Sequence, residues 1–143
     1  GVAGSLSSPV WGRLGDRSSR SVMARAAALN GLLGIAVFAA LLANPQALHD
    51  GLGWALVFML AAICHSGVRL GRKVYLVDMA SSEQRATYVA VSNTVVGIAM
   101  LAGGLAGVLG DWLGSAAVIG LLGLVSLLAA WRARDLPEVS APG

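Results

Sequence analysis

The sequence predicts an all-α, polytopic membrane helix bundle, and three observations carry this prediction. Hydrophobic residues make up 57% of the 143 residues and charged residues only 12%, whereas a soluble domain carries roughly 25% charged residues. The mean hydropathy is +0.76. The apolar residues are grouped in runs of about 20, the length that an α-helix needs to cross the hydrocarbon core of a bilayer. The charged residues are grouped between these runs.

The first apolar segment, residues 1–11, is predicted to be the last turns of a helix. Gly1 stands where a start methionine is expected, so we expect the chain to be a fragment of a longer protein. The first complete span is 22–43, where Asn30 is the only strongly polar side chain beyond the first turn. Residues 44–51 contain Asn, Pro and Gly and are therefore predicted to form a turn.

The second complete span, 52–80, is unusual because its second half is charged. It contains His65, Arg69, Arg72, Lys73 and Asp78. The third span, 84–109, follows the sequence SSEQ, in which Ser81 and Gln84 have the spacing of a capping box. The same span has glycines with small-xxx-small spacing, which predicts a close approach of another helix backbone. These glycines are Gly103, Gly104, Gly107 and Gly110.

The fourth span is predicted over 113–131 and is almost wholly apolar. Trp112 and Trp131 bracket it, as tryptophans at the two interfaces of a bilayer do. Residues 132–143 form a polar tail.

The ten Lys and Arg residues alternate in step with these spans. They lie in the loop 12–21 and its flank, in the region 69–85 and in the tail, while the turns after the first and third complete spans contain none. Because positive charge marks the cytoplasmic side, these three basic regions are predicted to be cytoplasmic. The chain is thus expected to be a multi-pass protein of the cell (inner or plasma) membrane.

The loop after the first segment reads G-R-L-G-D-R-S-S-R. It resembles the loop motif G-x-L-x-D-R-x-G-R-[KR] of major facilitator superfamily transporters. The matching residues are Gly12, Leu14, Asp16, Arg17 and Arg20. Ser19 and Ser21 stand where the motif has its second glycine and a further basic residue, and these departures favour the weaker second copy, between helices eight and nine.

The resemblance extends along the rest of the chain. YLVDMASSEQRATYVAVSNT resembles the junction of helices ten and eleven, and GGLAGVLGDWLG resembles the end of helix eleven. The chain would then be part of the C-terminal half of a twelve-helix transporter, from the end of helix eight to helix twelve, without the N-terminal half of the same chain. Helices two to six are the alternative placement, but the Gly-Pro signature of helix five in many antiporters is missing.

The resemblance implies a secondary transporter that moves a small solute by alternating access, and not an enzyme; a fragment would be inactive alone. In this family the loop motif holds the cytoplasmic side closed. The residues expected to form the gate here are Gly12, Asp16, Arg17, Arg20 and Arg85. Asp16 is expected near the positive N-terminal end of the third complete span, where it would pair with Arg85.

Candidates for the solute or proton path lie on the second and third complete spans. His65, Arg69 and Arg72 are spaced i, i+4, i+7 and so share one helical face, and ionisable groups within a membrane usually face a cavity. Histidine exchanges protons near neutral pH, which would suit proton coupling, and the arginines favour an anionic solute. Alternatively, Arg72 reaches the headgroups and His65 lies at a helix contact. Asn93 would contact the solute or bond to another helix.

Other classes of function find little support. Two histidines and one cysteine, far apart, predict no metal site, and no catalytic group, cofactor or nucleic-acid partner is expected. An intramembrane enzyme would need a partner for His65. The remaining alternative is a self-contained four-helix membrane protein with a structural or partner-binding role.

Overall fold

The structure, a computed structural model, describes residues 2–15 and 17–139. Every regular element within these ranges is an α-helix. The helices are α1 (Val2–Gly15), α2 (Ser19–Ala43), α3 (Gly51–Met79), α4 (Arg85–Leu113) and α5 (Ser115–Arg134). The four helices α2 to α5 are long and apolar enough to cross a membrane. The predicted fold class, an all-α membrane helix bundle, is therefore confirmed.

The helix ends are set by local hydrogen bonds. The side chain of Ser18 caps α2 by accepting from the amide of Ser21 at 3.1 Å. The capping box predicted for α4 is wrong, because α4 begins at Arg85 and its N-cap residue is Gln84, whereas the box requires Ser81 at that position. Instead the carbonyl of Ser81 accepts from the amides of Gln84 at 3.1 Å and Arg85 at 3.0 Å.

The turn between α4 and α5 consists of one residue. Gly114 has a φ of +83°, a backbone conformation that glycine adopts without the strain a side chain would add. Only Gly114 separates the two helices, and α4 continues to Leu113 and α5 to Arg134, both beyond the predicted spans.

The helix α2 lies at the centre of the bundle. It packs most extensively against α5 and next against α3, while α1 packs mainly against α3. The buried core at the α1–α2–α3 junction contains Trp11, Val22 and Ala26. The indole Nε1 of Trp11 donates to the carbonyl of Ile63 at 3.0 Å and so joins α1 to α3.

Backbone contact between α2 and α5 depends on glycine. A Cβ atom at Gly31 would lie 2.8 Å from the carbonyl oxygen of Gly123 and 2.7 Å from Cγ of Leu127. One turn further along, a Cβ atom at Gly34 would lie 3.0 Å from Cα of Gly123. These two helices therefore touch through their main chains, as small-residue contacts between membrane helices allow.

A polar bridge reinforces the contact between α2 and α5. Ser126 Oγ donates to the carbonyl of Ala27 at 2.9 Å and accepts from Asn30 Nδ2 at 3.4 Å. The Asn30 side chain of α2 thus has its hydrogen-bond partner on α5, the helix that packs most extensively against α2.

The helix α4 lies at the periphery. None of its residues is buried, and its contacts are confined to α3 and α5. The predicted backbone contact at its glycines is absent from the described chain, because no atom lies within 4 Å of a Cβ atom built on any of them (Gly97, Gly103, Gly104, Gly107 and Gly110). Close glycine contacts occur on α2, α3 and α5 instead.

Candidate functional site

The Lys and Arg residues gather at one end of the bundle, here called the basic end. Short turns make α2 to α5 alternate in direction, so α2 and α4 begin at this end and α3 and α5 finish there. The ten residues lie in segments 13–25, 69–85 and 132–134. The other end, with the turns 44–50 and 114, contains none.

The loop motif contacts the C-terminal tail at the basic end. Arg20 donates from Nη1 to the carbonyls of Leu136 at 2.8 Å and Arg134 at 3.3 Å. Its Nε lies 3.5 Å from Oε2 of Glu138. Ser18 Oγ donates to the same carboxylate oxygen at 2.6 Å.

The helix α3 also contacts the tail. The hydroxyl of Tyr75 on α3 donates to the carbonyl of Pro137 at 3.3 Å. Residues 134–138, here called the tail segment, therefore contact the start of α2 and the end of α3.

The remaining gate candidates are spread over three elements. Gly12 lies in α1, with no atom within 4 Å of a Cβ atom built there. Arg17 is exposed in the turn, and its amide donates to the carbonyl of Leu14 at 3.3 Å. Arg85 donates from Nη2 to the carbonyl of Val77 at 3.2 Å. Asp16 lies outside the described residues, and so does its predicted pairing with Arg85.

The helix α3 has two faces of opposite chemistry. One face is buried against α1 and α2 and consists of Cys64, Gly67, Gly71 and Tyr75. A Cβ atom at Gly67 would lie 2.8 Å from Cε2 of Trp11. On the other side of the helix His65 and Arg69 are exposed, so the candidate path residues point away from the packed interior.

Two polar contacts join α3 to α4: the bond from Arg85 to the carbonyl of Val77 described above, and one deeper in the bundle. Arg72 is half-buried and donates from Nη1 to Oγ of Ser92 at 2.6 Å. Both residues lie about two turns from the basic end. The structure thus brings His65, Arg69 and Arg72 to one face of α3, here called the basic face, and Arg72 extends from this face to α4.

Asn93 lies beside this contact and is exposed on α4. Its neighbour Ser92, which sequence reasoning did not select as a site residue, is the one that contacts α3. A serine one residue from Asn93 carries no sequence signal of its own, because the orientation of α4 about its axis decides which of the two faces α3.

Arg69 and Arg72 present hydrogen-bond donors on the basic face. A guanidinium group has five N–H donors, and a bond to one hydroxyl leaves several for a ligand. No carboxylate within residues 2–15 and 17–139 forms an ion pair with Arg69 or Arg72. The same ranges contain no cluster of three metal-ligating side chains.

The tail segment was missed by sequence reasoning, which treated 132–143 only as a polar tail. A signal was available, because Glu138 follows the last span on the side where arginines accumulate. The separation of 120 residues between Ser18 and Glu138 hides the contact from any local pattern.

Comparison with protein families supports this architecture. The family model of the Major Facilitator Superfamily matches residues 1–143. Neither the curated proteins nor the solved structures contain a significant match. The match covers the whole chain, and the four membrane-competent helices agree with it, so the chain belongs to the major facilitator superfamily of membrane transporters.

Proposed function

We propose that the chain is the C-terminal part of a twelve-helix secondary transporter, from the end of helix eight to helix twelve, which moves a small solute by alternating access. In this assignment α1 is the end of helix eight and α2 to α5 are helices nine to twelve. The basic face of α3 is the observation that carries the proposal. Ionisable side chains on a membrane helix are costly unless they face a cavity, and these face away from the packed side.

The proposed solute path runs along the basic face of α3, on the side where Arg72 reaches α4. His65 and Arg69 are exposed on this face, and Arg72 donates to Ser92. Asn93 on α4 is a further candidate. The remaining wall of the path would come from the N-terminal half of the same chain.

The solute is proposed to be anionic and its movement to be coupled to protons. The support is the set of arginine donors without an ion-paired carboxylate in the part of the chain that the structure describes, together with a histidine, a residue type used in proton transfer, on the same face.

The gate is proposed to form at the basic end, on the cytoplasmic side of the cell membrane. Gly12, Asp16, Arg17 and Arg20 would hold that side closed together with Arg85. The contacts of Arg20 with the tail segment support a closing role for this end of the bundle. Asp16→Asn should favour the inward-facing state, so cysteines at the cytoplasmic mouth of the intact transporter should become more accessible.

Uptake of a panel of solutes, measured with and without a proton gradient, tests the proposal. Arg69→Gln and Arg72→Gln should each lower uptake of the anionic substrate at least about tenfold, as expected when about 1.4 kcal/mol of binding is lost. His65→Gln should abolish stimulation by the gradient. Arg132→Gln, which removes one positive charge on α5 outside the basic face, is the matched control.

Two results would contradict the proposal. Uptake that Arg69→Gln and Arg72→Gln leave unchanged would remove the basic face from the path. A gene that encodes no membrane spans upstream of Gly1 would favour the alternative, a self-contained four-helix structural or partner-binding protein.

A further inference from the structure

A cavity of about 310 Å³ lies between α2 and α5 at the basic end. Its lining is Arg20, Ser21, Ala24, Arg25 and Arg134. It is separate from the basic face of α3, since no residue of α3 or α4 lines it. The proposed solute path therefore does not account for this second concentration of arginine side chains.

The charge in this cavity is mostly uncompensated. Arg20 is neutralised by Glu138 at 3.5 Å. Arg25 and Arg134 are exposed and pair with no carboxylate among the described residues. Two guanidinium groups thus present donors to one space, a pair of groups suited to the oxygens of a phosphate.

The surface next to the cavity is apolar. On α2, Leu29 is 50% exposed and Leu32 is 57% exposed. They follow Arg25 at i+4 and i+7, so all three side chains share one face of the helix. Trp131, near the end of α5, is 57% exposed and is a residue type that favours the headgroup level of a bilayer. The arginines thus lie at headgroup depth, with exposed leucines directed towards the hydrocarbon core.

We propose that this cavity binds the headgroup phosphate of an anionic phospholipid. The phosphate accepts from Arg25 and Arg134, and an acyl chain lies along Leu29 and Leu32. Basic cavities between membrane helices bind lipid headgroups in this way. Because the lipid bridges α2 and α5 where they meet the interface, it also holds the end of α5 against the start of α2.

Lipid binding to the purified full chain in detergent micelles tests the site. Native mass spectrometry would compare phosphatidylglycerol with phosphatidylcholine of the same acyl chains. Each arginine near a membrane contributes about 1 kcal/mol to binding of anionic lipid, which is roughly fivefold in affinity. We expect Arg25→Gln with Arg134→Gln to weaken phosphatidylglycerol binding by roughly 25-fold.

The matched control carries the same change of charge elsewhere. Arg13→Gln with Arg132→Gln removes two arginines of the basic end that do not line the cavity, and should leave phosphatidylglycerol binding within about twofold, because no headgroup contact is lost. Arg25→Lys with Arg134→Lys should keep most of the affinity. The lysine variant also guards against misfolding, since it retains the charge, and helix content is checked by circular dichroism.

Three outcomes would overturn the proposal. In the first, phosphatidylcholine binds as tightly as phosphatidylglycerol, so that no charge is recognised. In the second, both double glutamine variants lose affinity equally, so that only net charge matters. In the third, millimolar inorganic phosphate displaces the lipid completely, so that the cavity is a site for soluble anions. None of these outcomes bears on solute transport, which the uptake experiment tests separately.

Discussion

At Gly31 and Gly123, glycine allows the two helix backbones to touch. A Cβ atom at Gly31 would lie 2.8 Å from the carbonyl oxygen of Gly123, and one at Gly123 would lie 3.0 Å from the amide nitrogen of Ile35. These neighbours are main-chain atoms, which move only if the helices separate. We expect Gly31→Ala to lower the free energy of unfolding by about 1–3 kcal/mol, the usual cost of overpacking, measured by titration with dodecyl sulfate in mixed micelles.

The control for this prediction is Gly103→Ala on α4, where a Cβ atom meets nothing within 4 Å. Alanine is a better helix former than glycine by about 1 kcal/mol, so this variant should be as stable as the parent or more stable. Equal destabilisation by both variants would show that the α2–α5 contact is not the cause.

Loss of the bridge between Asn30 and Ser126 should lower the free energy of unfolding by less than Gly31→Ala does. Ser126→Ala removes the bond to the carbonyl of Ala27 and leaves the Asn30 amide without its acceptor. Hydrogen bonds between membrane helices contribute about 0.6 kcal/mol on average and at most about 1.7 kcal/mol, and the loss should fall in this range in the same titration.

Thr94→Val on α4 provides the comparison for Ser126→Ala. Thr94 Oγ1 donates to Ala90 within its own helix at 3.0 Å, so its loss separates no helices. A cost for Thr94→Val that equals that of Ser126→Ala would contradict the inter-helix role of the bridge.

The tail segment is the element whose position is easiest to perturb. Glu138 accepts from Ser18 and forms an ion pair with Arg20, so Glu138→Ala should release the segment. With Val139→Cys as the reporter and Cys64→Ser as the background, maleimide labelling should be faster by roughly two- to fivefold, the effect of losing up to about 1 kcal/mol from an exposed ion pair.

Asp135→Ala is the control for Glu138→Ala, because Asp135 lies in the same segment and forms no ion pair with a described residue. Labelling rates that rise equally in both variants would show that the carboxylate of Glu138 does not hold the segment.

The helices were largely predictable from the sequence because apolar runs of bilayer length have few alternatives. The basic face of α3 followed from the spacing of His65, Arg69 and Arg72, since helical period alone sets it. The glycines of α4 predicted a backbone contact that the described chain does not make. Glycine spacing shows that a helix can be approached closely, but it does not show whether a neighbouring helix lies there. The predicted capping box also failed, since backbone bonds at Ser81 replaced it.

For the whole molecule, the alternation of positive charge predicts orientation. Cysteines introduced at Gln46 and at Ser82 should react with a membrane-impermeant maleimide from opposite sides, Gln46 in intact cells and Ser82 only after permeabilisation. The positive-inside rule is the physical reason. Labelling of the Ser82 site in intact cells would reverse the proposed topology.

The sequence predicted the candidate sites only in part, because some of them lie between helices that are far apart in the chain. Composition placed the arginines at one end, yet the cavity between α2 and α5 joins residues as far apart as Arg20 and Arg134. Such a site depends on which helices pack together. Helix packing in a bilayer depends on shape and on a few hydrogen bonds rather than on hydropathy, and neither the shape nor these bonds can be predicted from a single sequence.

The pairing of α2 with α5 has a consequence for biosynthesis. Asn30 and Ser126 are 96 residues apart, and a ribosome adds roughly 5–20 residues per second, so α2 waits roughly 5–20 seconds for its partner. During that interval Gly31, Gly34 and the amide of Asn30 face lipid or the translocation machinery. Assembly of the bundle therefore finishes only with the last helix, and truncation before α5 should leave α2 a target for membrane quality control.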